Sequence, residues 1–227
     1  MLTRCLILGC FWLTFIGVSA GEVLDRVVAK VNDQVLLQSD LEDELRYECF
    51  VAHRSLQEAT PGDRKAALDR LIDQELLRQQ MRTGEVKPAN HEEIEKQLEN
   101  IKADYQKSVS APSWDAALVT YHLSEDGVRA HIRMQLDQLR LVDARLRPSI
   151  QIDAADVENY YKQQLLPELV RSGTQQVTLS EASGKIRELL TQRKMNQSLI
   201  SWLEALHSQA QIRVIAPDAS QPQGEGQ

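Results

Sequence analysis

The sequence has few cysteines and few aromatic residues. Of its 227 residues, 3 are cysteines and 5% are Phe, Trp or Tyr. Cys5 and Cys10 lie in the apolar stretch near the start, which leaves Cys49 alone in the remaining chain. An intramolecular disulfide and a CxxC redox or zinc motif are therefore excluded for that part. Cys49 follows Leu41 and Leu45 at helical spacing, so we expect a buried, inert thiol.

Signatures of catalysis are also missing. The sequence contains no glycine-rich phosphate loop, no GxSxG elbow and no HExxH pair. Its histidines show no metal-ligand spacing and are interpreted as scattered surface residues: His53, His91, His122, His131 and His207. We therefore expect no catalytic site, no cofactor and no metal, and a binding protein rather than an enzyme.

The one long apolar run is too short for a membrane span. It extends from Cys5 to Val18, about 14 residues, whereas a spanning helix needs roughly 20. Arg4 precedes the run, and small residues follow it in Val18-Ser19-Ala20. This pattern predicts a secretory signal peptide over residues 1–20, cleaved near Ala20-Gly21, with no integral membrane segment afterwards. A transmembrane anchor is the alternative interpretation.

The charge balance is acidic. Without Arg4 the chain keeps 25 of its 26 basic residues against 33 acidic ones, a net charge of −8. It has no basic stripe of the kind that binds phosphate backbones, so no nucleic-acid partner is expected. Long-range attraction would weakly favour neutral or basic partners.

Two β-branched runs near the start predict a hairpin. The first contains Val27, Val28 and Val31, Asn32-Asp33 interrupts it, and the second covers 35–37. A two-stranded hairpin is marginal alone and needs a third strand. The only other good strand candidate is Ile212–Ile215, so we predict that the last strand pairs with the first. The fold class is therefore mostly α, with a small β-sheet made of the N-terminal strands and the C-terminal strand.

Helical periodicity fills the sequence between these strands. The first helix is predicted from a Ser39–Glu42 capping box to about Arg54, with apolar residues on two sides, and is interpreted as sandwiched between layers. The last helix is predicted from Glu181 to Ser208, and its apolar face rotates midway. It should therefore bend near Asn196 or change packing partner. Further helices are predicted from Pro61 to a Gly84 stop, from Asn90, from Ser113, from Ser124 to Leu146 and from Asp153 to Leu165, with a linker from Pro167 to Leu179.

Several motifs occur in an order known from one family. A V-x-x-V-N segment is present at Val28–Asn32, and Leu36–Asp40 leads into the first helix. An L-I-D-x-x-L-L helix appears at Leu71–Leu77, followed by Gly84. The last helix and strand run from Arg193 to Ile215. In this order the motifs resemble the SurA N-terminal domain family, exported periplasmic chaperones of outer-membrane proteins.

This resemblance implies a division of the chain. Such proteins usually carry parvulin-type prolyl isomerase domains of about 90 residues before the C-terminal helix. Only Gln151–Ser180 is available here, so we do not expect isomerase activity. The expected parts are a signal peptide (1–20), an N-terminal chaperone-like helical domain (21–152), a linker helix and loop in place of a parvulin domain (153–180), a C-terminal helix and strand completing the core (181–215) and a disordered tail (216–227).

The expected function is ATP-independent holding of unfolded envelope proteins, with outer-membrane proteins as clients. The candidate peptide-binding residues are Tyr47, Phe50, Trp114 and Tyr121, and Val27–Val31 is a candidate edge strand for adding an extended client. Two alternatives stay open. One is a scaffold for a dedicated partner, including a homodimer formed through the terminal helix. The other is a divergent prolyl isomerase.

Overall fold

The computed structural model describes residues 25–82, 86–107, 113–173 and 177–215. The sheet comprises β1 (Val27–Val31), β2 (Gln34–Leu37) and β3 (Ile212–Val214). The longer helices are α1 (Gln38–Val51), α2 (Pro61–Met81), α3 (His91–Lys107), α5 (Glu125–Leu146) and α8 (Leu179–Gln209). The shorter ones are α4 (Trp114–Thr120), α6 (Ala154–Tyr160) and α7 (Leu166–Ser172). The predicted class, mostly α with one small sheet, is confirmed.

The sheet closes the chain on itself as predicted. Its strand order is β2-β1-β3, and both pairings are antiparallel. Asn32, in the hairpin turn with φ 55°, joins three elements. Its N–H donates to Gln211 O (2.9 Å), its Oδ1 accepts from Gln211 N (2.9 Å), and its Nδ2 donates to Gln79 Oε1 of α2 (2.7 Å). Asn tolerates this left-handed conformation better than most residues, which explains its use here.

The central position of β1 corrects one expectation. Val27–Val31 was proposed as an edge strand for client addition, but β1 is paired on both sides. The edges of the sheet are β2 and β3. Strand order depends on where the last strand docks, and a local sequence pattern carries no information about that.

The start of α1 differs from the predicted capping box. Leu37, not Ser39, occupies the N-cap position, and its N–H donates to Asp40 Oδ2 at 2.8 Å. Ser39 instead donates its backbone N–H (3.2 Å) and its hydroxyl to the carboxylate of Asp25. The helix also ends at Val51, before Arg54. A carboxylate from the residues ahead of β1 thus fixes α1 against the sheet.

The main core lies between the sheet, α1 and α2. Leu41 and Leu45 are buried on one side of α1, and Tyr47 and Phe50 on the other, so the sandwiched interpretation is confirmed. Cys49 is fully buried, as expected. Tyr47 belongs to a separate cluster with residues of α3 and α5. The other buried members of the main core come from the strands, α2, α3, α4 and the residue after it, α5 and α8: Val28, Ala29, Val31, Leu36, Ala67, Ile72, Leu76, Leu77, Tyr105, Ala117, Tyr121, Leu141 and Leu206.

The helix that starts after Asp153 continues further than predicted. Instead of ending at Leu165, the chain passes through a π-helical turn at Tyr161–Leu165 into α7. Pro167 lies within this continuous helical stretch, because Leu165 before it already has helical backbone angles, so it does not begin the linker as expected. Gly173 ends α7 with φ 66°.

Helix α8 changes packing partner along its length, as its rotating apolar face predicted. Ile186 packs with Val157 of α6, Met195 packs with residues of α5, and Leu206 joins the main core. The signal peptide, the tail and the Gly84 stop lie outside the described residues. None of the helices in the described ranges is long and apolar enough to cross a bilayer.

Candidate functional site

The predicted peptide-binding aromatics pack against one another and their neighbours. The Phe50 ring is fully buried, stacks on Tyr105 with centroids 5.3 Å apart, and meets the edges of Trp114 and Tyr121 at 5.6 Å each. Tyr47 is buried separately and stacks on His131 at 4.2 Å. These contacts join α1 to α3, α4 and α5. A client could reach Phe50 only if this packing opened.

Trp114 is the accessible member of the set. It is half-buried, and its Nε1 donates to Glu125 Oε2 at 2.8 Å. Glu125 also accepts from Lys102, and these two contacts hold the pKa of its carboxyl below the usual range. The indole is therefore oriented by charged neighbours while part of the ring faces solvent.

A groove with several apolar residues in its lining is bounded by α2, α5 and α8 and is called here the α5–α8 groove. Its volume is about 860 Å³. Leu139 lies in it with 64% of its surface exposed, although the sequence places it in the apolar row of α5. The other apolar residues lining the groove are Leu77, Leu136, Val142, Met195 and Leu199. Leu77, Val142 and Met195 are themselves buried, so Leu139 is the large apolar side chain of this groove that is most exposed to solvent.

Charged pairs border this groove. Arg140 bonds Glu93 and also donates to the carbonyls of Lys87 (2.9 Å) and Pro88 (2.7 Å). The hydrogen bond from the backbone N–H of Asn90 lowers the pKa of the Glu93 carboxyl, and Arg140 lowers it further by a smaller amount. Arg140 thereby fixes the segment that precedes α3 against α5. The border is polar and close to neutral, so the groove selects mainly for apolar side chains.

A second depression, the sheet-edge groove, lies beside β3. Its volume is about 680 Å³, and Val28, Leu41 and Leu68 form its apolar side. Val214, 54% exposed, and Ile215 line it as well. No strand of the described chain pairs with the outer edge of β3. In the described part of the chain, the sheet could therefore accept a further strand next to β3.

His131 was not recognised from the sequence. It was interpreted as a scattered surface residue, but it lies mostly buried between α1 and α5. Its Nδ1 is 3.1 Å from Gly127 O, and its Nε2 is 3.5 Å from Glu44 Oε2. Its place between Val128 and Ile132 on α5 was the signal that could have indicated burial. The described ranges contain no cluster of His, Cys, Asp and Glu fit to hold a metal ion.

Comparison with known protein families matches this chain to one of them. The model of the SurA-like N-terminal domain matches residues 2–142, more than half of the sequence. The chain belongs to the SurA-like N-terminal domain family. This is a family of chaperone-type or prolyl-isomerase-associated periplasmic proteins. No curated protein matches the sequence.

The match to the SurA-like N-terminal domain covers β1, β2 and α1–α4 and most of α5. It therefore includes Phe50, Tyr105, Trp114 and Tyr121, called here the aromatic cluster. It also includes Leu139 and one side of each groove. Helix α8 and β3 lie outside the matched residues and provide the other side. No catalytic parvulin domain is evident in the described residues.

Proposed function

We propose that this protein holds unfolded polypeptides in the periplasm without ATP, with outer-membrane proteins among its clients. The observation that carries the proposal is the α5–α8 groove, where Leu139 is exposed beside five further apolar residues. Membership of a chaperone-type family supports it. Unfolded barrel strands alternate apolar and polar residues, so they can place apolar side chains in a groove while their polar side chains stay in water.

The open border of the groove suits weak and reversible holding. In the described part of the chain, α5 and α8 bury Val142, Leu146 and Met195 between them. Because so few buried residues join the two helices, α8 can separate from α5 at a modest cost in free energy. The widened groove would then admit clients of different shape. An extended client could also pair with the outer edge of β3 and cover the sheet-edge groove.

The test is dilution of a urea-unfolded outer-membrane barrel protein into buffer with and without the purified protein, followed by light scattering. We expect suppression of scattering at a few-fold excess without ATP. Leu139→Gln should require at least about ten times more protein for equal suppression, because burying a leucine side chain against a client contributes roughly 1.5–3 kcal/mol and each 1.4 kcal/mol is a factor of ten. Leu189→Gln changes an exposed leucine of α8 outside the groove and should leave suppression unchanged.

Other results would favour the alternatives. Saturable binding to one envelope protein without suppression would favour a dedicated-partner scaffold. Faster X-Pro isomerisation in a proline peptide would identify an isomerase, since the uncatalysed step takes tens of seconds or longer.

Contact between clients and Tyr47, Phe50, Trp114 and Tyr121 stays a prediction. Trp114 offers the direct measurement because its ring is partly exposed. In a Trp202→Phe background of protein that begins at Gly21 and so lacks Trp12, the fluorescence of Trp114 should shift on client addition if the aromatic cluster opens. An unchanged spectrum during full suppression of aggregation would assign the four residues to structure alone.

A further inference from the structure

We propose that a pocket between β2, α1, α2 and α5, called here the acidic pocket, binds a cationic side chain of an extended polypeptide. The inference rests on the proposed function and adds a charge-specific subsite to it. The pocket has a volume of about 370 Å³. This lies within the range of ligand pockets, roughly 300–1,000 Å³.

Carboxylates dominate the polar lining. Four line the pocket, Asp40, Asp43, Glu44 and Glu75, against one arginine, Arg78. Arg78 is already engaged, since its Nε donates to Glu75 Oε2 (2.6 Å) and its Nη2 donates to Gln34 Oε1 (3.2 Å). Asp43 pairs with Arg46, which lies outside the lining, and the only other cationic group at the pocket among the described residues is His131, beside Glu44. Asp40 and Glu44 are therefore the lining carboxylates without a Lys or Arg partner in the described part of the chain, and they leave a surplus of negative charge.

Glu44 forms the floor of the pocket and is the least satisfied of these groups. It is 4% exposed, and its Oε1 accepts from Gln74 Nε2 at 3.1 Å. Its Oε2 has no hydrogen-bond donor among the described residues. His131 Nε2 lies 3.5 Å from that oxygen, at the outer limit of a hydrogen bond. A buried carboxylate oxygen without a donor is costly, and a cation entering the pocket would relieve that cost.

The remaining walls are apolar. Leu36, Leu71 and Met134 line the pocket together with the exposed Val35 of the edge strand β2. An aliphatic stem that ends in a positive charge matches this combination, because the stem packs on apolar walls while the charge meets the carboxylates. Lysine and arginine have this form. An extended chain running past β2 would present such a side chain at the pocket.

A divalent metal is the less suitable occupant. The described residues contain no group of three or more His, Cys, Asp and Glu arranged to hold a metal ion. The carboxylates of the pocket are also separately engaged, Asp40 with Leu37 N and Asp43 with Arg46. Charge complementarity without metal geometry points to an organic cation.

The test uses two fluorescein-labelled peptides that alternate apolar and polar residues and differ only in Arg or Gln at one central polar position. Their dissociation constants are measured by fluorescence anisotropy at about 0.15 M salt. We expect the Arg peptide to bind the intact protein about tenfold more tightly, the value of one charge-assisted hydrogen bond in a partly buried site.

Substitutions locate the effect. Glu44→Gln should remove most of the preference for Arg, and Asp43→Asn, at an exposed position on the pocket wall, should reduce it without risk to the core. Glu188→Gln is the matched control, because it removes the same charge from an exposed site on α8 outside the pocket. It should preserve the preference. Circular dichroism checks that each variant is folded.

The outcomes separate this inference from the proposed function. Equal binding of both peptides, or an equal loss in Glu44→Gln and Glu188→Gln, would overturn the acidic pocket as a subsite while leaving client binding intact. Failure of both peptides to bind would overturn the proposed function, and this inference with it. A persistent preference in both Glu44→Gln and Asp43→Asn would also overturn it.

Discussion

The two ends of α8 are held very differently. At its C-terminal end, Leu206 joins a core with 17 buried residues contributed by the sheet and five helices besides α8 itself. At its N-terminal end, Ala182 and Ile186 share a cluster with Val157 alone as the third buried member. The free energy of local opening rises with the number of buried contacts. The N-terminal end of α8, called here the far end, should therefore open before the C-terminal end, called here the near end. One helix thus has a firmly packed C-terminal end and a weakly packed N-terminal end, and the stretch of α8 that lines the α5–α8 groove, residues 192–199, lies between them.

The largest effect on stability should come from the main core, which holds the near end of α8. Phe50→Ala would remove a fully buried ring from the aromatic cluster and lower the free energy of unfolding by about 3–5 kcal/mol. Urea unfolding followed by circular dichroism measures this loss. Val119→Ala, at an exposed position on α4, should change stability by less than about 0.5 kcal/mol. Equal losses of unfolding free energy in the two variants would contradict the tight packing of the main core around Phe50.

The far end should respond locally. Ile186→Ala should destabilise the contact between α6 and α8 by about 2 kcal/mol. Amide hydrogen exchange should then show faster exchange in α6 while α1 keeps its protection. Ile200→Ala, at an exposed position of the same helix, should leave both unchanged. Faster exchange throughout the protein would mean that the two ends open together.

Substitutions of Asn32 test how strongly the first hairpin is held to the residues before β3, next to the near end of α8. Asn32→Gly keeps the left-handed conformation but loses the side-chain bonds to Gln211 and Gln79, which we expect to cost about 1–2 kcal/mol. Asn32→Ala should cost about 1 kcal/mol more because it adds backbone strain. Urea midpoints of the two variants separate these contributions. Identical midpoints would show that the conformation at residue 32 stores no strain.

The smallest effect concerns pH. Burial acts to lower the pKa of His131, but the nearby Glu44 carboxylate and the hydrogen bond to the Gly127 carbonyl outweigh it, so the net pKa is raised above its ordinary value. Asp43 and the stacked Tyr47 also neighbour the ring. A raised folded-state pKa means that protonation stabilises the fold. This contribution is complete below about pH 6.5 and is lost as the pH rises through the folded-state pKa.

Urea midpoints measured between about pH 6 and 8.5 check this expectation. They should fall with rising pH in the unmodified protein and fall less in His131→Gln. His91→Gln, at a highly exposed position, should keep the original slope. A steeper fall in His131→Gln would reverse the sign assigned to this residue.

Local signals predicted the elements better than their arrangement. Asn90, Ser113 and Ser124 cap helices as expected, because capping depends on residues three positions apart. The sequence did not predict the strand order, the burial of His131 or the exposure of Leu139. Each depends on which distant element packs there. The apolar row of α5 extends beyond the surface that its neighbours cover, and periodicity alone does not show where that cover ends.

The same limit applies to the candidate site. The sequence offered aromatic residues as contacts, whereas the apolar residues that line the two grooves are aliphatic or methionine and come from segments far apart in the chain. Four carboxylates meet in the acidic pocket from two helices, yet each looks like part of a solvated face in the sequence. Chemistry that depends on such convergence becomes visible only in three dimensions.

The pairing of Asn32 with Gln211 has a consequence for the order of events in the cell. These residues are 179 positions apart. At a synthesis rate of about 5–20 residues per second, the first strand waits roughly 10–35 s before its second neighbour exists. During that interval the nascent protein exposes the very edge that β3 later covers. Until the last strand has been made, this unpaired edge is open to association with other strands.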